Sequence, residues 1–142
     1  MFNKETGKIV RYCRPSQVDE YGIIATAFYL RKKNIELNRP EDEKTLSVDD
    51  YDFFSTDKFE NIKKSLKVRM PTAKENGYFA LVDYNGCEKE IKKLTDIQID
   101  IEQDINSSHC NITNLYNHDE IAAIGFLHNI IKIKQLKDIK TV

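Results

Sequence analysis

The spacing of apolar residues divides the chain into short segments of two periods. Residues 8–13, Lys-Ile-Val-Arg-Tyr-Cys, are rich in β-branched and aromatic side chains, and Arg14-Pro15-Ser16 removes a ladder donor just beyond them; they predict a first strand. Residues 25–31 alternate, with Ala27, Tyr29 and Arg31 on one side and Phe28 and Leu30 on the other, and this predicts a second strand. Residues 34–44 carry Arg39-Pro40 and mixed charge, which predicts a surface loop, and residues 45–48 predict a short third strand.

Asp57 followed by Glu60 resembles a capping box, and Phe59, Ile62 and Leu66 then fall on one stripe, so residues 57–67 predict an amphipathic helix. Residues 78–84 are the most apolar strand candidate and are placed at the sheet centre. Asn85-Gly86 is a strong hairpin dipeptide that would return the chain through residues 87–94, although residues 88–93 fit a helical turn equally well. Ile97, Ile99 and Ile101 alternate with polar residues as in a half-exposed antiparallel strand, and residues 109–113 supply another. Asn117 and Glu120 then open a band of seven large apolar residues from Ile121 to Ile133, read as one helix packed on the sheet, with Lys132, Lys134 and Lys137 at its negative end. The expected fold is therefore α+β: a mixed, largely antiparallel sheet covered by two helices.

Composition narrows the function more than it defines it. A chain of 142 residues with 40% hydrophobic and 32% charged residues fits one domain, spanning residues 1–142. A net charge of −1 supplies no global field for nucleic acid, so aromatic residues such as Tyr21, Tyr29, Tyr51, Phe53 and Phe54 read as packing groups before they read as a base-stacking platform. No apolar run approaches a bilayer span and the first residues lead into no signal-peptide core, so a soluble, cytoplasmic protein without a membrane partner is expected. Cys13, Cys87 and Cys110 are an odd, scattered set that implies no disulfide framework.

The candidate chemistry is sparse. Cys87, His109, Cys110, His118 and His128 lack the close spacing of a tetrahedral zinc site, so no metal is expected. The acidic run from Asp49 to Asp57 lacks the glycine and glutamate of an EF-hand loop. Arginine is scarce, five against seventeen lysines, yet Arg11, Arg14 and Arg31 all fall on or beside the first two predicted strands. If those strands pair, three planar guanidinium forks could converge on a phosphate or carboxylate.

Two resemblances bear on function. At Arg14-Pro15-Ser16-Gln17, residues 27–31 and Leu46-Ser47-Val48, with Ser108-His109 further on, the chain resembles small bacterial proteins of mobile or defence gene islands. That resemblance implies an accessory protein and assigns no site. The order Arg11, Ser47, Glu88-x-Glu90 is similar to that of ADP-ribosyltransferases, in which an arginine holds the cofactor phosphates, a serine positions the nicotinamide ribose and a glutamate stabilises the oxocarbenium ion. Leu46-Ser47-Val48 departs from that family's Ser-Thr-Ser pattern. The reading taken forward is a non-catalytic interaction protein that binds a partner protein and needs no cofactor; the alternative is an enzyme acting on NAD.

Overall fold

The computed structural model describes residues 1–140. Six strands form one sheet: β1 (Lys8–Cys13), β4 (Leu46–Asp50), β5 (Tyr78–Asp83), β6 (Asp100–Gln103), β7 (His109–Thr113) and β8 (Ile130–Gln135). Their order is β6-β7-β4-β1-β5-β8, and every pairing is antiparallel. A small ribbon of β2 (Val18–Asp19) and β3 (Gly22–Ile23) lies outside it. Three helices, α1 (Lys58–Arg69), α2 (Tyr84–Thr95) and α3 (Asp119–His128), complete the α+β architecture.

The alternation of β1 and β5 sorts the core into two layers. Ile9, Cys13, Ala80 and Val82 face the larger apolar cluster, which includes Tyr84, Cys87 and Ile91 of α2 and Ala122, Ala123 and Phe126 of α3. Val10, Phe79 and Leu81 face the smaller one, beneath Phe59, Ile62 and Leu66 of α1, the stripe expected from sequence. Helices α2 and α3 approach closely because Gly125 has no side chain: a Cβ there would lie 2.7 Å from Ile91 Cγ1.

Several expectations are revised by tertiary contacts. Residues 25–31 are not a strand: Ala25–Phe28 form a 3-10 turn, and Phe28 stacks on Phe126 of α3 at 5.0 Å between ring centroids. A side chain that anchors the turn on a helix decides the backbone here, and Ala27, Phe28 and Leu30 are all buried where alternation had put them on opposite sides. Asn85-Gly86 is not a hairpin but the first turn of α2, the helical alternative, with Tyr84, Cys87 and Ile91 along its buried stripe. The glycine leaves room for a neighbour rather than making a turn: a Cβ on Gly86 would lie 2.1 Å from the Asn129 side-chain oxygen, which would have to move.

The long terminal helix is really two elements. Helix α3 ends at His128, where the Asn129 side-chain amide donates back to the Gly125 carbonyl at 2.7 Å, and residues 130–135 become edge strand β8 against β5. The apolar band was wide because it joined a helix buried along Ala122, Ala123 and Phe126 to a strand of alternating Ile and Lys. The third helix and the two-stranded ribbon are additions to the expected inventory. Smaller shifts follow the same logic: Asp57 adopts a left-handed conformation with no side-chain cap bond, His118 rather than Asn117 precedes α3, and β6 begins at Asp100, although Ile99 and Ile101 are buried as their spacing required.

Candidate functional site

The site originates in a parting of two strands. Strand β1 pairs with β4 only at Ile9 with Asp50 and Val10 with Asp49, while its pairing with β5 continues to Cys13. Beyond Val10 the gap toward β4 is bridged by the Arg11 side chain, whose Nε donates to the Ala27 carbonyl at 2.9 Å and whose Nη1 donates to the Ser47 carbonyl at 2.7 Å. A side chain thus supplies the partner that a continuous ladder would have given Ser47. Burial lowers the Arg11 pKa from its ordinary value, and the charges of Arg31 and Arg14 act in the same direction against Glu43. A guanidinium still stays charged under such pressure.

The parting opens a cleft of about 880 Å³ bordered by four of the five arginines: Arg11, Arg14, Arg31 and Arg69. Lys74 adds a fifth cation against two lining carboxylates, Glu43 and Asp49. Both carboxylates are committed. Glu43 accepts from the Arg31 backbone at 2.7 Å and from Arg31 Nη2 at 2.8 Å. Burial alone would raise the Glu43 pKa, but these two bonds and the charges of Arg31 and Arg11 outweigh it and lower it. Asp49 is 3% exposed and accepts from Arg69 Nη2 at 2.7 Å and from the Ser108 hydroxyl at 2.8 Å. Arg14 is exposed, and among the described residues its guanidinium has no hydrogen-bond or ion-pair partner. Its position is set by the backbone: Arg14 N–H donates to the Gln17 side chain, which in turn donates to the Thr26 carbonyl.

The three arginines of the sequence reading therefore border one cleft, though not by strand pairing as expected; Arg14 precedes a 3-10 turn and Arg31 follows the anchored segment around Phe28. Arg69 was missed because it lies on the last turn of α1, far away in sequence. Of the residues in the transferase resemblance, Arg11 and Ser47 are neighbours, with Arg11 Nη1 donating to the Ser47 main-chain carbonyl. Glu88 and Glu90 do not border the cleft. They sit on α2, where Glu90 contacts His128 Nδ1 at 2.5 Å and Asn129.

On the far rim a second constellation appears. The Ser47 hydroxyl lies 2.6 Å from His109 Nε2, and His109 Nδ1 lies 2.6 Å from Asp104 Oδ2. The register explains the first contact, because Ser47 pairs with Asn111 and Asp49 with His109, which puts Ser47 and His109 on the same face as diagonal neighbours. The second is made by the β6–β7 turn: Asp104 N–H donates to the His109 carbonyl at 2.9 Å, and His109 N–H to the Ser107 hydroxyl at 3.0 Å. Neither residue pair carries a motif spacing that would have shown it in sequence.

The remaining candidates are dispersed. Cys110 faces the core, and burial, with Asp50, Asp49 and Asp104 adding to it, pushes its thiol up to about 12; Cys13 reaches about 12 through burial. Such thiols stay protonated and are poor nucleophiles at neutral pH. Among the described residues, no group of three His, Cys, Asp or Glu is arranged to hold a metal ion, and no helix is long and apolar enough to cross a membrane. Tyr51 and Phe54 pack under α1, while Tyr21 is 90% exposed and Tyr29 borders the cleft, so the aromatics make no single platform. No protein-family model, curated protein or solved structure matches the chain.

Proposed function

We propose that the protein is an interaction protein whose arginine-bordered cleft seats a phosphate or carboxylate displayed by a partner protein. The observation that carries this reading is the excess of cations at the cleft, five against two carboxylates already engaged by Arg31 and Arg69, with the Arg14 fork left open. A planar fork held beside a half-buried second arginine favours a bidentate anion over a diffuse charge. The resemblance at residues 14–17, 27–31 and 46–48 points to a bacterial accessory protein, and of these residues 14–17, 29–31, 46 and 47 border the same cleft.

Fluorescence polarisation with a fluorescein-labelled peptide bearing one phosphoserine tests this. Micromolar affinity is expected, weakened at least 10-fold by Arg14→Ala and reduced by salt, as screening of an exposed charge requires. Affinity weaker than about 1 mM for both this peptide and its aspartate counterpart, or unchanged binding in Arg14→Ala, overturns it. NAD titrated in parallel addresses the transferase alternative: micromolar binding lost in Arg11→Ala would favour it over a protein partner.

A further inference from the structure

We propose that Ser47 is the nucleophile of a serine hydrolase site, with His109 as general base and Asp104 as its positioning residue, acting on an ester that carries an anionic group. The nucleophile, base and orienting carboxylate stand in hydrogen-bond sequence at 2.6 Å and 2.6 Å, the relation that activates a serine wherever it occurs and whatever the fold. A carboxylate only accepts, so Nδ1 of His109 carries the proton toward Asp104 and Nε2 presents its lone pair to the Ser47 hydroxyl. Ser47 is exposed and borders the arginine cleft, whereas the His109 side chain is 15% exposed. A structural network has no need to place its hydroxyl on the rim of a cationic cleft.

The chemical step balances without any co-reactant except water. The Ser47 proton passes to Nε2 as Oγ bonds the ester carbonyl carbon. The bond to the leaving oxygen then breaks, and the imidazolium returns its proton to that oxygen. Water attacks the acyl-serine with Nε2 taking its proton, the carbon–Oγ bond breaks, and the proton goes back to Oγ. Arg11, whose Nη1 donates to the Ser47 main-chain carbonyl at 2.7 Å, holds the backbone that carries the nucleophile. The nucleophile assignment stands apart from the anion reading above; only the substrate class rests on it.

Two measurements on the full chain decide the matter. A neutral fluorophosphonate probe followed by peptide mass spectrometry should modify Ser47, not at all in Ser47→Ala and at least 100-fold more slowly in His109→Gln. An unmodified Ser47, or labelling undiminished by His109→Gln, overturns the proposal. Hydrolysis of p-nitrophenyl succinate should exceed that of p-nitrophenyl acetate at least 10-fold, with the preference lost in Arg14→Ala. Labelling of Ser47 without this preference keeps the nucleophile and overturns the anionic substrate, whereas the cleft reading stands or falls separately on the phosphoserine-peptide titration. Asp104→Asn should lower the rate and displace its pH profile, which a bond serving only to stiffen the turn would not do.

Discussion

One face of the sheet is built in two ways. On the β1–β5–β8 half, Val10, Phe79 and Leu81 lie beneath α1 in an apolar cluster that contains no residue of β4, β6 or β7. On the β4–β7–β6 half, the same face presents Ser47, Asp49, His109 and Asn111, each engaged in side-chain hydrogen bonds rather than apolar packing: Ser47 with His109, Asp49 with Ser108, and Asn111 with Thr45. The covered half excludes water and gains stability from area; the other keeps polar groups in directed contacts that contribute little net stability and much geometry. The arginine cleft opens at the boundary, where β1 leaves β4 and Arg69 of α1 reaches across to Asp49. The lesson is that the candidate chemistry lies where the helix stops covering the sheet.

Substitutions on the two halves should behave differently. Phe79→Ala, at a fully buried ring stacked near Phe59, should cost about 3–5 kcal/mol by denaturant titration; a smaller cost would show that α1 collapses onto the sheet and that the covered half is less tightly packed than it looks. At the boundary, Glu43→Gln should cost under about 1 kcal/mol at neutral pH, since the pair is only partly screened from water. Its pH dependence is the sharper readout. The Glu43 pKa is lowered in the folded state, so its stabilisation is full above the ordinary glutamate value and is lost as pH falls through the folded one. The gap between wild type and E43Q should therefore close on acidification, and a constant gap would mean that Glu43 contributes by packing. Smallest of all, Ser47→Ala should change stability by no more than about 0.5 kcal/mol, however large its effect on labelling. A cost near that of Phe79→Ala would make the hydroxyl a structural element and merge the two halves.

The elements that the sequence described well are those whose burial follows from their own period. Strands β1 and β7 occupy residues 8–13 and 109–113 as read, and the stripe of Phe59, Ile62 and Leu66 is buried on α1. Where a segment's partner is distant, local pattern misled: the alternation at residues 25–31 gives way to Phe28 stacking on Phe126, and the band from Ile121 to Ile133 breaks at Asn129. The site was half legible. Scarce arginine drew attention to Arg11, Arg14 and Arg31, and a serine on β4 stood out, but no spacing related Ser47 to His109 and Asp104, which lie 62 and 57 residues further along.

By itself the sequence determined the α+β class, the two burial periods and the residue types available for chemistry, because these depend on the side chains of each segment and on the backbone it can adopt. Only the tertiary structure decided that β1 and β4 part after Val10, that Arg11 fills the gap and that β7 pairs with β4 in the register that sets His109 beside Ser47. Register and strand order arise from contacts between segments far apart in the chain, and a shift of one residue would turn Ser47 or His109 to the opposite face.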